Sequence, residues 1–285
     1  MRLVSFRDAN GSTSFGALEG DSIVDLGRRH GIASLKAALA GKSFPWLRGA
    51  QADYQLSDVQ LLPTVPDAGK IICVGLNYKA HVAEAGRAMP EQPTLFLRAN
   101  SAVVGHGSAM IRPKVSDQFD YEGELALVIG SSARHVPEDR ALDCIFGYTC
   151  FNDGSLRDFQ KHSVTAGKNF QSSGACGPWL VPAAEMPRPT DLTLTTRLNG
   201  QQVQHANTSQ MIYSIPTIIA YVSKFIALEP GDIIATGTPE GVALGRTPPL
   251  WMKPGDRIEV EISGIGILAN PIEAEHPATR DRRTP

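Results

Sequence analysis

The chain has 285 residues, 42% hydrophobic and 20% charged, and its 27 basic against 29 acidic residues give a net charge of −2. That balance leaves no basic stripe for nucleic acid and no acidic block that would keep a segment solvated, and no apolar run nears the roughly 18 residues of a membrane span. The opening MRLVSFRDANGS lacks the apolar core of a secretory signal, and four cysteines, at 73, 144, 150 and 176, show no CxxC pairing. Cys73 and Cys150 sit in apolar runs and read as buried reduced thiols, so a cytoplasmic location is expected.

Residues 1–66 read as a small α/β N-terminal domain. RLVSFRD and SFGALEGDSIVDL alternate as strands do, ASLKAALAG is a short amphipathic helix closed by Gly41, and LLPTVPDAGK is a proline-marked linker. Residues 67–285 are rich in strands: KIICVGLN, TLFLRA, AMIRP, ELALVIG, IFGYTCF, LTLTTRLNG, DIIATGT and DRIEVEISGIGIL. They are short and punctuated by Gly, Pro, Asn and Asp, which favours an antiparallel barrel or roll over βαβ units. One helix stands out in SIPTIIAYVSKFIALEPGD. Ser214 can cap it, Ile218, Ile219, Val222, Phe225 and Ile226 form a core stripe, and Pro230-Gly231 stops it. PGD occurs twice before a strand, as repeated turn chemistry, and the basic end ATRDRRTP reads as a frayed terminus.

Four stretches carry chemistry. In GLNYKAHVAEAG (75–86), one or two helical turns closed by Gly86 put His81 and Glu84 at i and i+3, on one face. A histidine oriented by a carboxylate is a general base near neutral pH, although an incidental surface pair has the same spacing. In FDYEGELALVIG (119–130), Glu122 and Glu124 share a strand face, where like charges repel unless a cation lies between them. A solvated strand face is the plainer alternative. Asp153, in an Asn-Asp-Gly turn after an apolar strand, completes a three-carboxylate set suited to Mg²⁺ or Mn²⁺, and no His-rich or Cys-rich spacing competes for zinc. Lys168, in the glycine-rich TAGKNFQSSGACGPWL, is a surface charge unless its neighbours promote it.

These motifs, together with FLRANSAVVG, LNGQQVQHANTSQMIYSIPTIIAYVSKF and LEPGDIIATGTPEGV, resemble in their order the fumarylacetoacetate hydrolase family over roughly residues 67–280. The resemblance implies an α+β, mostly β fold: a mixed β-roll catalytic domain behind the small N-terminal domain, paired as a homodimer. It assigns Glu122, Glu124 and Asp153 to Mg²⁺ (or Mn²⁺), His81 and Glu84 to a dyad on a lid, and Lys168 to developing negative charge. Tyr78, Gln160 and Thr238 of TGTPEG become substrate contacts, with Arg98 and Ser101 nearby. Two departures bear on pocket shape: the Asp153–Lys168 segment is shorter than in some relatives, and Asn169 follows the lysine where many members have serine.

The expected activity is metal-dependent C–C hydrolysis of 2,4-dioxo acids to pyruvate and a carboxylic acid. Fumarylpyruvate, maleylpyruvate and sugar-derived 2,4-diketo-3-deoxy acids fit that class. The alternative is oxaloacetate decarboxylation or tautomerisation of a 2-hydroxy-dienedioate through the same enolate. A catalytically silent module is disfavoured, because the carboxylates, the dyad and the lysine are all present. The distal half of the substrate stays open: Arg87, His106, Arg157, Lys161 and His162 could each meet a second carboxylate, and each is a residue type common on plain surfaces.

Overall fold

The structure is a computed structural model that describes residues 1–41, 44 and 50–276; the basic C-terminal stretch lies outside them. Its main sheet runs in space from Tyr54–Gln55 through Ser22–Asp25, Thr13–Glu19, Arg2–Arg7, Gly174–Pro182, Ile145–Asn152, Gly123–Ile129, Ile233–Ala235 and Ile71–Gly75 to Thr94–Arg98. A five-stranded sheet packs against it, in the order Gln201–Asn207, Thr193–Leu198, Arg257–Ile262, Gly266–Ala274 and Met110–Arg112. This is the sheet-dominated α+β architecture expected. The pairing is not purely antiparallel, since Ile233–Ala235 lies parallel to Ile71–Gly75 and Gly266–Ala274 parallel to Met110–Arg112. The strands of the first 66 residues continue the main sheet, with Leu3 opposite Leu180.

The run ELALVI is apolar without alternation because its strand is buried on both faces. Leu125, Leu127 and Ile129 enter one core; Ala126 and Val128 enter another. Gly123 is needed where the two sheets meet, because a Cβ there would collide with Thr196 Oγ1 of the second sheet. The helix spans Ile215–Ser223, with Ser214 Oγ accepting from Thr217 N at 3.3 Å. It buries Ile218, Ile219 and Val222 but stops a turn short of the expected stripe, leaving Phe225 53% exposed. The chain leaves the helix at Lys224 so that Leu228 can exchange hydrogen bonds with Ala133.

All four cysteines are free and buried, and desolvation raises the thiols of Cys73, Cys150 and Cys176, the last to about 11. Among the described residues no helix is long and apolar enough to cross a membrane.

Candidate active site

Strands Gly123–Ile129 and Ile145–Asn152 pair with Gly123 opposite Asn152, so Glu122, Glu124 and Asp153 emerge at one end of the ladder. Asp153 N donates to Glu122 O at 2.8 Å, which makes the Asn-Asp-Gly segment part of the ladder's end rather than a free turn. The three residues are at most 6% exposed, and one carboxylate oxygen from each lies within 4.8 Å of the other two.

Four groups of opposite or complementary character surround them. Lys168, at the end of helix Val164–Lys168, is 1% exposed and not a surface charge. Its Nζ donates to Glu122 Oε2 and Asp153 Oδ2, both at 2.6 Å, and to Asp153 O at 3.1 Å, which uses all three N–H groups. Arg157, also expected at the surface, is buried. Its Nη2 lies 2.6 Å from Glu122 Oε1, its Nε donates to Asp120 Oδ2 at 2.7 Å and its Nη1 to Gln160 Oε1 at 2.8 Å. Arg98 grips Asp153 Oδ1 from behind and also donates to Gly154 O and Ser173 Oγ, each at 2.9 Å. Glu124 accepts Gly237 N–H at 2.8 Å and has no ion pair among the described residues.

The electrostatics follow from this asymmetry. Burial would raise Glu122, but Lys168 and Arg157 hold it at about 2. Glu124 is driven well above the ordinary carboxylate range, first by burial and then by Asp153 and Glu122. Burial would lower Lys168, yet Asp153 and Glu122 raise it. A buried trio of carboxylates, one without a counter-cation and two already drawing in an ammonium, is a donor set that fits a hard divalent ion such as Mg²⁺ or Mn²⁺.

The dyad forms on helix Lys79–Glu84, with His81 Nδ1 3.1 Å from Glu84 Oε2. Glu84 Oε1 accepts Gly241 N–H at 2.9 Å, tying the helix to the loop after TGTPEG. The turn into the helix is strained: Leu76 has φ 56°, and of the four non-glycine residues with positive φ among those described it alone lines the cleft. Asn77 holds that turn, a residue the sequence analysis passed over. Fully buried, it donates Nδ2–H to Tyr213 O at 3.1 Å and Thr236 O at 2.8 Å, and accepts Tyr213 N–H at 2.8 Å.

These groups line a cleft of about 460 Å³ with a charged floor and walls of Val74, Leu76, Phe96, Val242 and Leu244. His81, Glu84, Gln160, Lys168 and Thr238 line it with the three acids. The Thr238 hydroxyl is already committed, donating to Gly123 O at 3.0 Å and accepting from Gln204 at 2.9 Å. Tyr78 and Arg98 lie behind the lining. The Tyr78 hydroxyl is buried with no hydrogen-bond partner among the described residues, and burial followed by Glu124 raises its pKa. Ser101 is exposed, away from the cleft. Of the distal candidates, Arg87 and Lys161 line it, whereas His162 packs on Phe159 and His106 lines a separate groove with Trp179.

Residues 70–273 match the family described as "Fumarylacetoacetate (FAA) hydrolase C-terminal". Oxaloacetate tautomerase YisK of Bacillus subtilis is 43% identical over 225 residues, covering 77% of this chain and 75% of that protein. The solved 5-carboxymethyl-2-hydroxymuconate delta-isomerase of Mycobacterium smegmatis aligns at TM-score 0.79 and 34% identity, over 96% of this chain and 100% of that one. Maleylpyruvate hydrolase of Sphingobium sp. SYK-6, solved in complex with manganese (II) ion and pyruvate, aligns at TM-score 0.80 and 30% identity, over 97% and 100%. With residues 70–273 matched by the family model and a relative 43% identical over three quarters of both chains, the chain belongs to the fumarylacetoacetate hydrolase family of enzymes.

Proposed function

We propose that the cleft moves a proton at C3 of a 2-oxo acid and so interconverts its keto and enol forms. The observation that carries this reading is a histidine–glutamate pair lining the same cleft as three buried carboxylates. With Nδ1–H directed at Glu84, Nε2 is the basic nitrogen of His81. Gly241 N–H fixes Glu84 in turn, so the imidazole is oriented before substrate arrives. Glu122, Glu124 and Asp153 would hold a divalent cation, whose positive charge would draw electrons from the 2-oxo acid and make the C3 proton easier to remove. Lys168 and Arg157 keep Glu122 ionised for that task. A proton that His81 lifts from C3 is balanced by a proton gained at the 2-oxo oxygen to give the enol, and the reverse direction takes the oxygen's proton off and returns one to C3. Tautomerisation asks nothing more of the site, and the relative at 43% identity is an oxaloacetate tautomerase.

A second reading is hydrolysis of acylpyruvates, favoured by the maleylpyruvate hydrolase structure that contains pyruvate. There His81 would take its proton from water, which would attack the 4-oxo carbon. One panel separates the readings. With Mg²⁺ supplied, the protein should speed the loss of the ultraviolet absorbance of enol-oxaloacetate without releasing carbon dioxide, and His81→Ala should slow it on the order of a hundredfold. Pyruvate release from acylpyruvates with enol decay no faster than in buffer would move the assignment to hydrolysis. Activity on neither would sink both.

A further inference from the structure

We propose that Gln204, a residue of the second sheet, is a positioning residue for the three acids: with Thr238 it closes a ring of hydrogen bonds around Gly123 that aims Glu122 and Glu124. This rests on the reading above that Glu122, Glu124 and Asp153 hold a divalent cation. The stretch LNGQQVQHANTSQMIYS, which contains Gln204, supplies no residue to the cleft lining, so its contribution has to reach the site through other groups.

Gln204 lies on strand Gln201–Asn207, opposite Thr196 in the register of the second sheet, and is 2% exposed. Its side-chain Oε1 accepts Gly123 N–H at 2.9 Å. Its Nε2 donates to Thr238 Oγ1 at 2.9 Å and to Pro239 O at 3.0 Å. The Thr238 hydroxyl closes the ring by donating to Gly123 O at 3.0 Å. The partners fix every direction. A backbone N–H only donates and a carbonyl only accepts, so the amide of Gln204 cannot turn over, and the one hydroxyl hydrogen of Thr238 goes to Gly123 O. Glycine is the residue that admits this approach, since a Cβ on it would stand 3.3 Å from Gln204 Oε1 and collide with Thr196 Oγ1.

The flanking residues give the ring its consequence. Gly123 stands between Glu122 and Glu124, and both its backbone polar groups are held by side chains, which leaves its peptide planes no competing orientation. Turning either plane would swing a carboxylate one residue away. Thr238 also follows Gly237, whose N–H serves Glu124 at 2.8 Å, so one loop fixes both the backbone beside that acid and its donor. Carboxylates held in place before an ion arrives lose less freedom on binding it. The ring leaves the Thr238 hydroxyl no hydrogen for a substrate, so Thr238 positions the acids instead of making the substrate contact that the family resemblance implied.

The test is calorimetric titration of the metal-free protein with Mn²⁺, beside thermal unfolding of the same samples. Gln204→Met keeps the side chain's length without its polar atoms, Thr238→Val keeps the shape without the hydroxyl, and Thr238→Ser keeps the hydroxyl. Gln204→Met and Thr238→Val should each weaken Mn²⁺ about tenfold, and Thr238→Ser should stay within about twofold of wild type. The double variant Gln204→Met with Thr238→Val should lose about as much as either alone, because both open one ring. A lowered Tm with Mn²⁺ affinity still within about twofold of wild type is the mark of a purely structural residue and overturns the proposal. A Thr238→Ser loss equal to that of Thr238→Val overturns it too, as does a double variant whose losses multiply to about a hundredfold. Should Gln204→Met not fold, Thr238→Val against Thr238→Ser decides alone. Wild type that binds no Mn²⁺ removes the metal reading and the proposal with it, whereas wild-type binding that the variants leave unmoved removes the proposal only.

Discussion

Glu124 differs from its two neighbours in one respect: among the described residues it makes no ion pair. Its folded-state pKa is raised, first by burial and then by Asp153 and Glu122, so the folded protein keeps this proton to a higher pH than the unfolded chain does. The associated stability is fully present below the unfolded value and is lost as pH climbs toward the folded one. Glu122 has the opposite sign. Held at about 2 by Lys168 and Arg157 against its burial, it contributes stability above the ordinary Glu value that disappears as pH falls toward 2. Glu124→Gln keeps an acceptor for Gly237 N–H but removes the charge. In EDTA-treated protein it should flatten the decline of stability as pH rises above the ordinary Glu value and raise the Tm on that alkaline side, at roughly 2–4 °C per kcal/mol recovered. It should also abolish the rise in Tm that Mg²⁺ produces in the wild type. Thermal scans with and without Mg²⁺ decide this, and a Mg²⁺ response equal to wild type would remove Glu124 from the ion's ligands. The acids were legible in the sequence because E-x-E and the Asp that ends the paired strand are local patterns. The burial of Lys168 and Arg157 was not, because their partners lie up to 46 residues away and burying a cation depends on them.

At the scale of elements, the site depends on a turn that joins segments far apart in the chain. Leu76 is held in left-handed backbone, and Asn77 makes its bonds to partners 136 and 159 residues away. Ile212 N–H adds a bond to Asn77 O at 2.7 Å. Thr236, one of the partners, directly precedes Gly237, whose N–H serves Glu124, so the same amide that fixes the dyad's approach fixes an acid's donor. Asn77→Ala leaves the Tyr213 N–H and two carbonyls without this side chain. An orphaned buried group costs about 1–3 kcal/mol, and of the three only Thr236 O lies in a fully buried bond, so urea unfolding should register a loss of about 2 kcal/mol or more. A loss below about 1 kcal/mol would mean that water replaces the amide and the turn is not held by it. The helix after this turn, its closing Gly86 and the strand before it were all readable from periodicity and punctuation. The tie was not: a lone asparagine between a strand and a helix looks like any other turn residue until its distant partners are placed.

For the whole molecule, composition separated a small N-terminal unit from a larger catalytic one, and the family match starts only at residue 70. The packing joins them. One hydrophobic core contains Leu3, Phe15, Val24 and Leu35 from the first segment together with Ala126, Val128 and Phe151 from the strands that carry the acids and Cys176 from the strand beside them. The Arg2–Arg7 strand also pairs with Gly174–Pro182 at Leu180, on an edge whose beginning Val103–Val104 covers. A linker rich in proline is visible in a sequence, whereas a core built from both sides of it is not, because apolar residues do not announce which partner they pack against. Units that share a sheet and a core cannot melt independently, since losing the first segment would expose the apolar face beneath the site's own strands. Scanning calorimetry of the full chain should therefore show a single transition in which the first segment and the site unfold together. Mg²⁺ with oxalate should shift that whole transition upward rather than split it, by about 2.7 kcal/mol of added stability at a hundredfold excess over Kd. Two separable transitions, only one of them moved by the ligands, would show that residues 1–66 fold as an independent unit and that the common core adds nothing to the cohesion of the catalytic strands.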